Sequence, residues 1–503
     1  MTKVIQKILV VGGGSAGYLS ALVLKTKLPE LDIKVVQTEQ LPIIGVGEGT
    51  TAILPGFLKD YLGLDQDELY RRVKPTWKLG IKFEWGLPNK SFNYTFANTF
   101  DTKINLLKKN NAYYYLNDLG PGSVPDCLMN CNKSPLGRLK SGQLHLDHSI
   151  FGFHLENRAF VSYLKSKILD LGVEIHDKKI TKINKNSVGE ISSLDLEDET
   201  SLKADLYIDC SGFNSILLGE TLKEKYIDFR SSLFCDTAIT GSWLRQEGEA
   251  ILPYTTSETM NNGWCWRVEL KDRVNRGYVF SSQFSSVEKA LEEMKEKNPQ
   301  MADDHRVIKF TTGRYQSFWV KNVAAIGNAS GFVEPLEATG LHMICETSRR
   351  LVEALIDSNL QPSESIKLST SEIIGELWDD IRWFLSLHYK FNKYLNTPFW
   401  KYCREQTDIS GVQKIVDFYY ENGPSPMVFH SLPRHSMFNY DGYIAMLVSL
   451  KAPCKFKNHL EEKDIDNFKR LSDRFLRHSE ASFLDMSNAL GLLEKSKFSF
   501  ETP

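Results

Sequence analysis

The chain has 503 residues, 42% of them hydrophobic, and a formal net charge of −2. That length buries a large core and fits one cofactor domain with a substantial appended region, while evenly interspersed charges argue against a nucleic-acid or acidic-membrane partner. Eight cysteines hold one close pair, Cys127 and Cys131, without a second pair at zinc spacing, so no metal site is expected.

The first strand, Lys7 to Val11, begins within a few residues of Met1, leaving no room for a signal peptide. No apolar run reaches the roughly twenty residues of a membrane span, and the default location is a reducing cytoplasm. Gly12, Gly14 and Gly17 then give GxGxxG spacing around Ser15 and Ala16, and Tyr18 to Thr26 has helical periodicity. Strand, tight turn and helix together make a dinucleotide fingerprint, with pyrophosphate at the helix N-terminus. Glu39 follows the apolar strand Ile33 to Thr38, about twenty residues after the last glycine, where an acid grips a ribose hydroxyl.

Leu54, Phe57, Leu58 and Leu62 form a helical stripe ending at Gly63, and Asp65 with Glu68 can cap the next short helix. From Thr76 to Trp85 the period becomes two, with Trp77, Leu79, Ile81, Phe83 and Trp85 on one face. This predicts one half-buried strand whose wet face carries Lys78 and Lys82. Residues 100–150, rich in Asn, Gly and Pro, read as a long excursion or lid. His145, His148 and His154 are read as polar loop and strand residues. Ile168 to Val173 closes a helix, Glu174 to Leu206 reads as a meander of short strands, and Tyr207 to Gly212 returns to the cofactor sheet. Trp264 and Trp266 share one strand face. Ala325 to Ile344, AIGNASGFVEPLEATGLHMI, brings three glycines and the carboxylates of Glu334 and Glu337 to a helix start at Thr339 and Gly340. The apolar pattern Leu341, Ile344, Ser348, Leu351 and Leu355 follows, and beyond Ser363 the signals are mostly helical. Two glycine-rich runs far apart suit one extended dinucleotide, read here as FAD.

Gly12 to Gly17, Gly45-Val46-Gly47-Glu48, the strand around Lys78, Trp264-Cys265-Trp266, Arg276 to Phe280, the Gly327 to Gly340 segment and Thr397-Pro398-Phe399-Trp400 resemble the flavin-dependent halogenases of the tryptophan halogenase type. The likeness touches most of the chain and is weakest in the lid and the last hundred residues. It implies an α/β fold: an FAD-binding, doubly wound, glutathione reductase-like domain over 1–360 with inserted substrate strands and lid, then a mainly helical region over 361–503. In such enzymes reduced flavin and oxygen convert halide to hypohalous acid, which travels to a separate aromatic-substrate site.

By this resemblance Lys78 presents the electrophilic halogen to an electron-rich, indole- or phenol-like ring, and Glu337 assists it and takes the ring proton, with Glu334 as the competing carboxylate. Gly12, Gly14, Ser15, Ala16, Gly17, Glu39, Val46, Glu48, Gly327, Asn328, Gly340 and Leu341 would hold FAD. Thr339 and Gly340 would hold the halide, chloride or bromide, and Trp264 and Trp266 would wall substrate from flavin. Ala338 stands where many relatives have serine, and Glu269 departs from the isoleucine and proline that commonly end the tryptophan motif, which should alter the strand's exit. With one dinucleotide fingerprint and none for a nicotinamide cofactor, reduced FAD should come from a separate flavin reductase; a homodimer is one assembly the sequence allows. Two alternatives are a flavin-dependent aromatic hydroxylase, which inserts oxygen without halide, and a non-catalytic flavin-binding protein.

Overall fold

The computed structural model describes residues 4–39, 47–96, 121–146, 149–457 and 460–495. Val46 and, in the expected lid, residues 100–120, 147 and His148 lie outside the described residues. The apolar run Ile8 to Val11 is wholly buried, as a strand covered on both faces must be. It lies inside a six-stranded sheet ordered Glu174–Asp177, Asp32–Gln37, Lys7–Val11, Leu206–Asp209, Val323–Ala325, Trp319–Val320. The first five strands run parallel, and the last pair is a hairpin. Helix Ser15–Lys27 packs against helices Asn157–Asp170 and Gly340–Asp357. Of the meander expected after Glu174, the first strand joins this sheet. Ile180–Lys185, Ile191–Leu196 and Ser201–Leu202 form a separate antiparallel sheet.

A seven-stranded sheet forms the second layer, ordered Arg306–Lys309, Thr237–Leu244, Arg273–Phe280, Gly263–Glu269, Thr255–Met260, Gly80–Glu84, Phe92–Thr95. It is antiparallel except where Thr255–Met260 runs parallel to Gly80–Glu84. Glu48–Gly49, Gly152–Leu155 and Thr76–Lys78 form a further three-stranded antiparallel sheet, with Gly152–Leu155 in the middle.

The Thr76–Trp85 alternation therefore resolves differently from its pattern. The run breaks at Leu79, whose amide donates to the Pro253 carbonyl (2.7 Å) and whose carbonyl accepts from Phe96 (3.0 Å), so Thr76–Lys78 and Gly80–Glu84 belong to different sheets. The face expected to be wet is buried at Thr76, Lys78 and Gly80, where Thr76 lies against His154 and the Glu269 carbonyl, Lys78 against Gly49 and the Phe96 ring, and Gly80 against the Tyr94 backbone; only Lys82 and Glu84 remain partly exposed.

Beyond Ser363, which caps the helix Glu364–Phe391 through the Ile366 amide (3.3 Å), helices dominate. One short strand, Phe483–Asp485, adds to the hairpin of Lys133–Arg138 and Leu144–Leu146. A continuous hydrophobic cluster joins this helical part to both large sheets. Among the described residues no helix is long and apolar enough to cross a membrane.

Candidate active site

Gly12 has φ +120°, and a Cβ on it would stand 2.3 Å from the Cys210 carbonyl oxygen; one on Gly17 would stand 1.8 Å from the Gly12 carbonyl oxygen. Both glycines are demanded by the packing of strand, turn and helix. Gly14 differs. It begins the Ser15–Lys27 helix with no side-chain cap, and a Cβ there would meet nothing within 4 Å. Open space beside an uncapped helix N-terminus suits an anion. Gly327, at φ +70°, lies so close that a Cβ would be 2.9 Å from the Ala16 Cβ, so the two glycine-rich runs adjoin. Asn328 follows in the one-turn helix Gly327–Ala329. Glu39 is exposed and paired with Lys165 at 2.9 Å. Glu48 is half-buried, accepts a hydrogen bond from Asn157, and is lifted by burial to a pKa of about 7. An extended dinucleotide fits this arrangement.

Lys78 is 0% exposed, and its Nζ has no hydrogen-bond partner among the described residues. Phe96 offers a ring centroid 5.2 Å away. Gly49 makes the room: a Cβ there would approach Nζ to 3.1 Å and Thr255 Oγ1 to 3.2 Å. His154 Nε2 lies 2.8 Å from Thr255 Oγ1, and burial together with the Lys78 charge pushes the imidazole well below its usual pKa. Burial drives the Lys78 ammonium down to about 7, against the attraction of Glu337. A buried amine without a hydrogen-bonding partner costs stability in its charged form.

Two carboxylates arrive on the turn Pro335–Glu337, which ends at Ala338 in the left-handed region (φ +56°). Glu334 Oε2 accepts from Trp264 Nε1 at 2.6 Å and from the Tyr389 hydroxyl, and burial raises this carboxyl to about 7. Glu337 Oε1 is 2.8 Å from His388 Nε2; burial raises its carboxyl while His388 and Lys78 oppose the rise. Of the two, Glu337 acts electrostatically on Lys78 and borders a cavity of about 190 Å³. Tyr94, Phe96, Thr339, His342 and Phe438 share that wall. Thr339 begins the helix Gly340–Asp357 without a side-chain cap, and a Cβ on Gly340 would meet open space. Leu341, Ile344, Ser348, Leu351 and Leu355 form its buried stripe, as their spacing predicts.

Trp264 and Trp266 are both buried, with ring centroids 5.9 Å apart. Gly277 admits the second ring, since a Cβ there would fall 1.9 Å from it. The strand Gly263–Glu269 ends at this residue, which is paired in register with Val274. The Glu269 carboxylate, 0% exposed, is clamped by Arg245 and by Arg267 (2.6 Å), and its carbonyl accepts the Thr76 hydroxyl. Glu269 thereby anchors the strand that carries Lys78. His388 and Gly49 are the neighbours that sequence reasoning missed; His154, read as a polar loop or strand residue, lies in the strand Gly152–Leu155 and also reaches this site. His388 lies in a helix whose periodicity signals only burial; Gly49 sits one residue past the recognised Gly45 to Glu48 run.

The tryptophan halogenase family model matches residues 7–464. Tryptophan 7-halogenase KtzQ of Kutzneria sp. (strain 744) is 30% identical over 443 residues, 82% of this chain and 81% of that protein. The crystal structure of MibH, a lathipeptide tryptophan 5-halogenase, superposes with a TM-score of 0.87 at 33% identity, covering 98% of this chain and 94% of that one. BrvH, a flavin-dependent halogenase from Brevundimonas sp. BAL3, gives 0.85 at 25% identity over 97% of this chain and 99% of its own. The chain belongs to the tryptophan halogenase family, as an enzyme of the flavin-dependent halogenase type.

Proposed function

We propose that this enzyme replaces a ring hydrogen of an electron-rich aromatic with halogen, using Lys78 to present the electrophile and Glu337 as the base. The carrying observation is the buried, unpartnered Lys78 amine coupled to a carboxylate on the cavity wall. Reduced FAD, when bound, supplies oxidised halogen as hypohalous acid from oxygen and halide. The parallel sheet is read as the doubly wound flavin domain. The Gly12–Gly17 turn, Glu39, Glu48 and the Gly327–Asn328 and Gly340–Leu341 turns are the residues proposed to hold the cofactor. Halide is assigned to the uncapped amides at Thr339 and Gly340, where a helix terminus favours an anion. One dinucleotide fingerprint in the chain supports a separate reductase as the source of reduced flavin.

As an ammonium, Lys78 donates to the hypohalous oxygen and polarises the oxygen–halogen bond; as the neutral amine it accepts the halogen. With the ammonium, the ring carbon bonds the halogen as the oxygen–halogen bond breaks, and the departing hydroxide takes a Lys78 proton and leaves as water; with the neutral amine, the oxygen–halogen bond breaks first as a nitrogen–halogen bond forms and water leaves, and the nitrogen–halogen bond then breaks as the ring carbon takes the halogen. In both, the ring proton passes to Glu337 and returns to the Lys78 nitrogen, for a net conversion of hypohalous acid and ring hydrogen to ring halogen and water. Base catalysis of this kind is typically worth about 10² to 10⁴ in rate. The buried Trp264 and Trp266 rings are assigned the wall between flavin and substrate, with Glu334 fixing the first of them.

The test is mass spectrometry of indoles, tryptophan and phenols incubated with the protein, FAD, a flavin reductase, NADH and chloride or bromide. A halogen isotope pattern lost in Lys78→Ala is the expected result, with FAD binding retained. Oxygenated products formed without halide would instead establish an aromatic hydroxylase.

A further inference from the structure

His388 is 0% exposed on the helix Glu364–Phe391, and its two ring nitrogens face two acceptors. Nδ1 is 3.1 Å from the Phe384 carbonyl oxygen, one turn earlier, and Nε2 is 2.8 Å from Glu337 Oε1. A carbonyl oxygen only accepts, so Nδ1 carries a hydrogen. A neutral imidazole has no second N–H; Nε2 and a carboxylate oxygen would then confront each other with nothing between them. One further proton must therefore lie on the line from Nε2 to Oε1, shared by imidazole and carboxyl. The rings of Phe83, Trp85 and Phe384, centroids 5.2, 5.8 and 5.3 Å from the imidazole, pack around it and restrict rotation. Among the described residues the titratable groups that act on Glu337 besides His388 are Lys78, from the strand Thr76–Lys78, and Tyr94, from the strand Phe92–Thr95, and His342 and Asp441 share its cavity wall.

We infer that His388 is a positioning residue for the base: through one shared proton it pins Oε1 of Glu337 and leaves the remaining carboxylate oxygen to take the ring proton at the cavity. The inference rests on the halogenase reading for its kinetic consequence, but the shared proton exists with or without substrate. The geometry also explains how a carboxyl raised by burial stays available as a base. His388 opposes that rise by donating to the charged form.

Two measurements test the pair. The first is NMR of the ¹⁵N-histidine-labelled full chain without flavin or substrate. A far-downfield proton on a histidine ring nitrogen is expected, absent from both His388→Gln and Glu337→Gln. The second is the pH profile of ring halogenation. His388→Phe is expected to lower kcat by about 10²-fold, to change KM for the aromatic little, and to move the acid limb to higher pH, because Glu337 loses the partner that holds its carboxyl down. His388→Gln keeps a neutral donor to Oε1; it should recover most of kcat at alkaline pH while the acid limb stays displaced. Should the phenylalanine variant fail to fold, the glutamine variant carries both readouts. A spectrum without that proton, or an acid limb unmoved in either variant, overturns the inference. The proton present in a protein that halogenates nothing would remove the halogenase reading and leave the His388–Glu337 pair standing.

Discussion

Lys78 is a fully buried amine whose charged form costs the folded chain stability. In the unfolded chain its amine titrates at the ordinary 10.5, and in the folded chain at about 7. Between those values the unfolded state binds more protons, so stability rises with pH from about 7 to 10.5, and the full penalty applies below 7. The drop corresponds to an upper bound on the order of 5 kcal/mol. Lys78→Met, nearly equal in length, removes the charge and keeps the packing. Its Tm at pH 6 is expected to exceed that of the parent chain, with the gap closing toward pH 10. A calorimetric scan with the variant no more stable at pH 6 would mean that the ammonium finds solvation in the folded protein. Glu334 makes a contrast at the same scale. It is as buried as Lys78, but one of its oxygens is satisfied by Trp264 and Tyr389, which suits a structural brace for the tryptophan wall.

Among the elements, the first turn separates two uses of glycine that the GxGxxG spacing treats alike. A Cβ at position 17 collides with the Gly12 backbone, whereas one at position 14 enters the space proposed for pyrophosphate. Gly17→Ala is expected to lose the cooperative melt of the flavin-free protein. Gly14→Ala is expected to melt within about 1 kcal/mol of the parent and to bind FAD at least tenfold more weakly. Equal damage to the fold from both changes would dissociate the open space at Gly14 from cofactor binding. These features were legible because their signals are local: a turn that needs positive φ, and a buried stripe from Leu341 to Leu355. The environment of Lys78 was not. Alternation along Thr76–Trp85 describes one strand's own faces, and nothing within it announces that Gly152–Leu155 pairs alongside, or that the run breaks into two sheets at Leu79. Glu269 was legible as a departure but not as a solution. Its meaning depends on Arg245 and Arg267, which converge only once the strands are paired.

At the scale of the molecule, the helical part after residue 360 supplies half of the site's support. His388 meets Glu337, Tyr389 meets Glu334, Asn392 accepts from the Gly86 amide at 3.0 Å, and Trp400 Nε1 donates to the Met260 carbonyl at 2.7 Å. Trp85 packs between the parts, its ring 5.8 Å from His388, 6.1 Å from Tyr389 and 5.3 Å from Trp400. Cutting the chain at the proposed 360/361 boundary would expose this aromatic seam, leave Glu337 buried without His388 and leave Glu334 with Trp264 but without the Tyr389 hydroxyl, each such loss costing about 1–3 kcal/mol or more for a charged group. Against a total stability of about 5–15 kcal/mol, those costs and the lost apolar burial exceed what the first part can absorb. The fragment 1–360 is therefore expected to aggregate or to melt without a cooperative transition. Co-expression with 361–503 as a separate chain should recover a single calorimetric transition, since the seam reforms without a covalent link. A soluble 1–360 fragment with its own sharp melt would show instead that the first part folds alone and that the helical part docks afterwards, bringing His388 to a carboxylate already in place.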